Sequence, residues 1–127
     1  MRNPKAKRGD MPLDFEFLHN FTGTANWYRH SVSPTILYTD GAKYVADSAG
    51  AYWLLDYIAL SQCSAAAVRE EAFQVWKLDV KGGAAALSCE DGNGRTILTV
   101  TVPVTDFPEP GIELWCTNKT ILLPTEY

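Results

Sequence analysis

The sequence predicts an α+β domain in which a mostly antiparallel sheet packs against one long amphipathic helix, with a short helix near the N-terminus. Two periodicities lead to this prediction. Apolar residues recur at helical spacing in the middle of the chain, and they alternate at strand spacing from Phe73 onward. Turn sequences rich in Gly, Pro and Asp separate the strand-like runs. A length of 127 residues with 46% hydrophobic and 20% charged residues suits one globular domain.

The N-terminal residues differ in charge from the rest of the chain. Residues 1–10 lack periodicity, and we expect a flexible basic tail there, followed by a single domain over 11–127. The tail contains four cations, Arg2, Lys5, Lys7 and Arg8. Residues 9–127 hold 7 basic and 15 acidic residues, so their net charge is −8. Such an acidic body repels nucleic acid and anionic membrane surfaces unless its charges are segregated.

Short elements are predicted in the first third of the domain. The proline and acids at the start of 12–21 favour a short helix, although the apolar residues there also fit the alternation of a strand. The aromatic-rich run over 26–32 predicts a β-segment. The dipeptide Asp40-Gly41 predicts a hairpin turn. This turn would join two short β-runs, 36–39 and 43–46.

The clearest helix is predicted to begin at Asp47 or Ser48, either of which can cap it, and to end near residues 61–63. Its core-facing stripe follows helical spacing and comprises Ala51, Leu54, Leu55, Ile58 and Ala59. A meander of strands follows, over 73–80, 85–90, 97–104, 112–116 and 121–123. The run 97–104 is apolar on one side only, which predicts a sheet with a solvated side.

Several classes of protein are disfavoured by the sequence. No apolar run approaches the roughly 18 residues that span a bilayer, and none follows the basic N-terminus, so we expect a cytoplasmic protein that does not bind membranes. The cysteines Cys63, Cys89 and Cys116 are widely spaced and form no CxxC pair, which disfavours a disulfide framework or a zinc site. The run 90–94 lacks the later ligands of a calcium loop. We therefore expect neither a metal nor another cofactor.

Five stretches of the chain form a recognisable set. They are FTGTANWYRH (21–30), LYTDGAKYVADSAGAYWLLDYIA (37–59), FQVWKL (73–78), CEDGNG (89–94) and the closing LLPTEY. In this order they resemble a family of small bacterial proteins known as a domain of unknown function (DUF6876). The resemblance covers nearly everything after residue 20. It implies a stand-alone bacterial domain associated with plasmids, phages or other mobile elements, and it brings no established activity or catalytic residues.

Arg29 and His30 are the candidate catalytic residues. Histidine can act as an acid or base near neutral pH, and arginine can hold a carboxylate or phosphate. Together with a carboxylate such as Asp40, they would form the centre of a small enzyme. Adjacent strand residues point to opposite faces, however, which argues against a shared pocket. An enzymatic role is therefore kept only as an alternative.

Tyrosine and tryptophan crowd the segment 27–57, and such clusters on a surface are typical of protein–protein hot spots. We expect a small protein-binding module that recognises another protein or a second copy of itself. The candidate binding residues are Trp27, Tyr28, Arg29, His30, Trp53 and Tyr57. The resemblance suggests interference with a host or defence protein. The remaining alternative is a nucleic-acid-binding accessory protein that uses the cations of the tail.

Overall fold

A seven-stranded mixed sheet forms the centre of the structure, a computed structural model that describes residues 12–127. The strands are β1 (Trp27–Arg29), β2 (Leu37–Thr39), β3 (Phe73–Lys81), β4 (Ala84–Asp91), β5 (Thr96–Val102), β6 (Gly111–Thr117) and β7 (Thr120–Leu122). They lie in the order β1-β2-β7-β6-β3-β4-β5. The β2–β7 pair is parallel, and the other neighbouring pairs are antiparallel. The predicted basic tail at 1–10 lies outside the described residues.

The prediction of a mostly antiparallel sheet against one long helix is wrong. The sheet is mixed, and its helices are α1 (Asp40–Ala49), α2 (Tyr52–Ser64) and α3 (Ala66–Arg69). Gly50 ends α1, because it adopts the left-handed conformation (φ 62°) and donates its N–H to the carbonyl of Ala46. Ala65 is extended and separates α2 from α3. Single turns of 3₁₀ helix are formed by Phe17–Asn20 and Pro124–Glu126.

The predicted hairpin at Asp40-Gly41 is also wrong, because these residues begin α1. The hydroxyl of Thr39 caps this helix by accepting the N–H of Ala42 at 3.2 Å. The carboxylate of Glu126 accepts the Thr39 hydroxyl at 2.6 Å and the N–H of Gly41 at 2.9 Å. These contacts satisfy N–H groups at the start of the helix, and they outweigh the turn preference of the dipeptide.

The helices cover one face of the sheet, and the core lies between the two layers. All five residues of the predicted helical stripe are buried. They share one core cluster with buried side chains of the central strands, among them Trp76, Leu78, Leu87 and Leu114. Helical spacing therefore identified the core side of α2 correctly, although the helix is shorter and begins later than predicted.

The other side of the central strands is the open face. Along β3, every second residue is buried from Gln74 to Val80, whereas the alternating residues from Phe73 to Asp79 are half-buried or exposed. Thr99 on β5 is exposed in the same way. This agrees with the predicted solvated side of the sheet. Among residues 12–127, no helix longer than one turn lies on the open face. The side chains of the open face are therefore available for contacts.

Candidate functional site

Three aromatic side chains form a cluster on the open face, the open-face aromatic cluster of Phe73, Trp115 and Tyr127. The ring centroids of Phe73 and Trp115 are 5.0 Å apart, and both lie 5.4 Å from the Tyr127 ring. All three contacts are edge-to-face, the geometry favoured by the aromatic quadrupole. The indole N–H of Trp115 donates to the carboxylate of Glu113 at 2.8 Å. The rings are therefore packed against one another, yet Tyr127 is 73% exposed.

Strand pairing and the C-terminal 3₁₀ turn bring this cluster together. β3 and β6 are antiparallel with Val75 opposite Trp115, which makes Phe73 a diagonal neighbour of Trp115 on the same face. Tyr127 follows the 3₁₀ turn, which Glu126 fixes through its bonds to Thr39 and Gly41. The position of the exposed ring thus depends on a carboxylate bound at the start of α1.

Trp27 extends the open-face aromatic cluster toward the β1 edge of the sheet. Its partner across β1–β2 is Thr39, and the registers of β2, β7 and β6 place Thr39 on the same face as Trp115. A hollow of about 290 Å³ lies on this face, lined in part by Trp27, Leu122 and Tyr127. Trp27 is 58% exposed. Two tryptophans and a tyrosine therefore share one accessible surface.

Charged side chains of both signs lie on the open face, Lys77 and Lys81 beside Asp79, Glu90 and Glu113. Lys77 on the open face pairs with Glu90 at 3.3 Å, and the carboxylate of Glu113 binds the indole of Trp115. Residues 12–127 contain 7 basic and 14 acidic side chains, a net charge of −7. The aromatic rings thus belong to a protein whose described residues are acidic overall, and such a charge balance disfavours contact with a phosphate backbone.

Tyr28, the neighbour of Trp27, points to the helix side of the sheet. Its hydroxyl donates to Asp40 at 2.9 Å, and its ring stacks on Tyr38 at 5.5 Å. The backbone N–H of Ala25, followed by the Tyr28 hydroxyl, lowers the pKa of Asp40 to about 2. The same hydrogen bond raises the pKa of Tyr28. These contacts assign Tyr28 and Asp40 to fixing the loop before β1.

A second hydrogen-bonded group lies beside Tyr28 on the helix side. The Lys43 ammonium donates to Asp47 at 2.7 Å and lies 5.6 Å from the centre of the Tyr28 ring. The Tyr52 hydroxyl also donates to Asp47, and partial burial together with this bond raises the pKa of Tyr52. Burial opposes ionisation of Asp47, but the bonds from Lys43 and Tyr52 outweigh it and lower the pKa of Asp47. The group joins the outer sides of α1 and α2.

His30 and Arg29 do not share a pocket. His30 is 3% exposed, and its Nδ1 accepts the N–H groups of Val32 and Ser33 at 3.2 and 3.0 Å. This leaves the proton on Nε2, which donates to Asp56 at 2.7 Å. Arg29 is exposed and donates to the carbonyl of Pro34 at 2.9 Å. Both ring nitrogens of His30 are thus used to hold the loop against α2.

Trp53 and Tyr57, the other predicted binding residues, lie on α2. Trp53 is half-buried and packs against the core, and Tyr57 is 36% exposed and touches Trp76 edge-to-face at 6.3 Å. They lie on the helix side, whereas Trp27 lies on the open face. The predicted set is therefore divided between two sides of the molecule. The predicted tail cations Arg2, Lys5, Lys7 and Arg8 lie outside the described residues.

The family model described as a family of unknown function (DUF6876) matches residues 15–127. The chain belongs to the DUF6876 family. No curated protein and no solved structure matches it significantly. In residues 12–127, no helix is long and apolar enough to cross a membrane. The same residues contain no group of three or more His, Cys, Asp or Glu side chains arranged to hold a metal ion.

Two sequence stretches of this DUF6876 member that are far apart in the chain meet at the start of α1. The YTDG stretch supplies Thr39 and Gly41, and the closing LLPTEY supplies Glu126, which binds both. A Cβ atom on Gly41 would lie 2.5 Å from the Glu126 carboxylate and 2.6 Å from a Leu123 methyl group. Glycine is therefore required at this position for the close approach of the C-terminal turn.

Sequence reasoning missed Phe73, Trp115 and Tyr127 of this DUF6876 protein as members of one surface. Strand periodicity at 73–80 and 112–116 was sufficient to place the first two on strands. It could not reveal that β6 pairs with β3, since β4 and β5 lie between them in sequence. The available signal was the presence of aromatic residues at positions that alternate with the buried residues of each strand.

Proposed function

We propose that this protein is a small protein-binding module whose docking surface is the open-face aromatic cluster, extended by Trp27. The observation that supports the proposal best is the geometry of three edge-to-face rings on the open face, with Tyr127 73% exposed. Protein interfaces are enriched in Trp and Tyr at the positions that contribute most of the binding energy. A surface with Trp27, Trp115 and Tyr127 fits that composition.

The fixed geometry of the rings favours binding. Trp115 is held by Glu113, and Tyr127 follows a turn that Glu126 fixes. Rigid aromatic side chains lose little conformational entropy when a partner covers them. A ring buried at the centre of an interface typically contributes about 2 kcal/mol or more, which corresponds to roughly a thirtyfold change in affinity.

The charge of the chain indicates the chemistry of the partner. The described residues carry a net charge of −7, and the open face presents the carboxylates of Glu113 and Asp79 beside Lys77 and Lys81. Complementary interfaces set opposite charges against each other. We therefore expect a partner that presents an apolar or aromatic centre with lysine and arginine at its rim. A second copy of this acidic chain would meet like charges.

The two alternatives from the sequence receive less support. Against the enzymatic alternative, the side chains of His30, Arg29 and Asp40 each form hydrogen bonds that hold loops, and His30 is buried. Nucleic-acid binding would depend on the tail and would be steeply dependent on salt. The finer hypothesis, a bacterial, mobile-element-encoded module that modulates a host or defence protein, rests on the family resemblance alone.

The test begins with affinity capture from nuclease-treated bacterial lysate and continues with the purified captured protein. Calorimetry then measures the affinity of the captured protein for the wild type and for the variants Tyr127→Ala and Trp27→Ala. Val104→Ala is the control, because Val104 is 83% exposed and lies on a different segment. We expect a basic partner, with a roughly thirtyfold loss for Tyr127→Ala. Val104→Ala should bind like the wild type.

Three results would contradict the proposal. The first is a partner that binds wild type and Tyr127→Ala equally, which would place the interface elsewhere. The second is a concentration-dependent dimer in sedimentation experiments with no other partner, which would make a second copy the occupant. The third is retention of nucleic acid alone when nuclease is omitted. Loss of that binding on deletion of residues 1–10 would then favour the tail hypothesis.

A further inference from the structure

We propose that a cleft beside the β6–β7 turn binds a small amphipathic organic anion, with its charged group at two cations and its apolar body against the wall. The cleft has a volume of about 560 Å³ and lies between the α2–α3 corner and the β6–β7 turn. That volume is in the range of small-molecule sites, which are mainly apolar with a few converging polar groups. Ile36, Cys116 and Ala72 supply apolar wall, and Arg69 and Lys119 line the same cleft.

The two cations of the cleft have no carboxylate partner among the described residues. Of the seven basic side chains in residues 12–127, three form ion pairs with carboxylates: Lys43, Lys77 and Arg95. Arg69 donates only to backbone carbonyls, and Lys119 forms no ion pair there. Glu71 also lines the cleft, but its carboxylate faces Arg95 at 3.8 Å. An anion that enters the cleft therefore meets two cations without a carboxylate partner, and Glu71, which faces Arg95, is the acidic side chain of the lining.

Arg69 is held in place before any ligand arrives. One terminal nitrogen of its guanidinium donates to the carbonyls of Gln62 and Cys63 at the end of α2, at 3.3 and 2.9 Å. A guanidinium has five N–H donors, so most of them stay available. A fixed arginine loses less conformational freedom when it binds an anion than a mobile one does.

The floor of the cleft is equally fixed. The side-chain amides of Gln62 and Gln74 bond each other at 2.8 and 2.9 Å, and the indole of Trp76 donates to Gln74 at 3.0 Å. Gln74 is 3% exposed. On the opposite wall, Lys119 lies in the tight turn between β6 and β7 (φ 58°), and its carbonyl accepts the N–H of Leu37. Both walls are thus held by hydrogen bonds, as expected of a preformed site.

The cleft can be probed with an anionic fluorophore and its uncharged counterpart. Anilinonaphthalene sulfonate carries a sulfonate on an aromatic body, and phenylnaphthylamine has the same body without the charge. We expect Arg69→Gln and Lys119→Gln each to weaken sulfonate binding about tenfold, since each removes one charged hydrogen-bond partner. Arg69→Lys should keep most of the affinity. Lys81→Gln, which removes an exposed charge on another segment, is the matched control and should have no effect.

Location is tested through Cys63, which lines the cleft and is exposed, whereas Cys89 and Cys116 are buried. Bound sulfonate probe should slow alkylation of Cys63 by iodoacetamide, and Lys119→Gln should remove that protection. Phenylnaphthylamine binding should be equal in wild type and Lys119→Gln, which also shows that the variant is folded. Equal sulfonate affinity in all variants, or an unprotected Cys63, would overturn the proposal. Either result is independent of the open-face aromatic cluster, which Tyr127→Ala tests separately.

Discussion

Gly41→Ala tests the contact that joins the start of α1 to the C-terminal turn. The new Cβ would lie 2.5 Å from an oxygen of Glu126 and 2.6 Å from a methyl group of Leu123. Leu123 is 2% exposed and belongs to the core, so the Glu126 carboxylate is the group that must move. Its displacement breaks its hydrogen bonds to Thr39, to the backbone of Gly41 and to Leu123.

The expected change in stability combines two destabilising effects with one stabilising effect. Hydrogen bonds to a charged group are worth about 1.5–3 kcal/mol, and overpacking against Leu123 costs about 1–3 kcal/mol more. Replacing Gly by Ala in a helix stabilises the folded state by about 1 kcal/mol. We therefore expect Gly41→Ala to lower the free energy of unfolding by about 1.5–5 kcal/mol, although helix propensity alone predicts stabilisation.

Urea unfolding followed by circular dichroism measures this change, and Glu126→Ala provides the matched background. Without the carboxylate, no hydrogen bonds are lost and only overpacking against Leu123 opposes the gain in helix propensity, so Gly41→Ala should cost about 0–2 kcal/mol in that background. Equal or greater stability of Gly41→Ala in the wild-type background would refute the reasoning. It would mean that the C-terminal turn is not anchored at α1, and the fixed position of Tyr127 would lose its explanation.

Three further predictions concern other parts of the molecule. Because hydrogen bonds lower the pKa of Asp40 to about 2, its stabilising effect is complete above pH 4 and fades as the pH falls toward 2. The difference in unfolding midpoint between wild type and Asp40→Asn should therefore shrink over that interval, and a constant difference would contradict it. His30→Ala should lower the free energy of unfolding by about 2–4 kcal/mol, since the N–H groups of Val32 and Ser33 lose their acceptor. Arg29 is exposed, and Arg29→Ala should therefore cost less than about 1 kcal/mol in the same urea titration. Burial raises the pKa of Cys89 and Cys116 to about 12, so mass spectrometry of iodoacetamide-treated native protein should show Cys63 modified first, and early labelling of the other two would contradict their burial.

The sequence predicted those features of the fold that depend on local periodicity. The buried stripe of α2 and the strand runs that became β3 to β7 follow from the positions of apolar residues. The prediction of one long helix was wrong at Gly50, because the pattern of apolar residues does not reveal that a residue adopts a left-handed conformation. The prediction of a hairpin at Asp40-Gly41 was wrong because Glu126, 85 residues away from Gly41, accepts a backbone N–H at the start of a helix there.

The candidate binding surface could be predicted only in part, for a related physical reason. Trp27 was identified because it is aromatic and lies in a segment crowded with aromatic residues, but Tyr28 beside it faces the other side of the sheet. The partners of Trp27 on the open face come from β6 and from the C-terminal turn. Only the parallel pairing of β2 with β7 brings these elements next to β1.

The parallel β2–β7 pair thus determines what the open face can present. β7 places β6, and with it Trp115, on one side of β2, and β1 with Trp27 lies on the other side. The turn that follows β7 then returns to Thr39 at the end of β2 through Glu126. Any change that weakens the bond between Glu126 and Thr39 should therefore disturb stability and the position of Tyr127 together. A Glu126→Gln variant that stays folded but loses partner affinity would show that the anchor serves the binding surface as well as the fold.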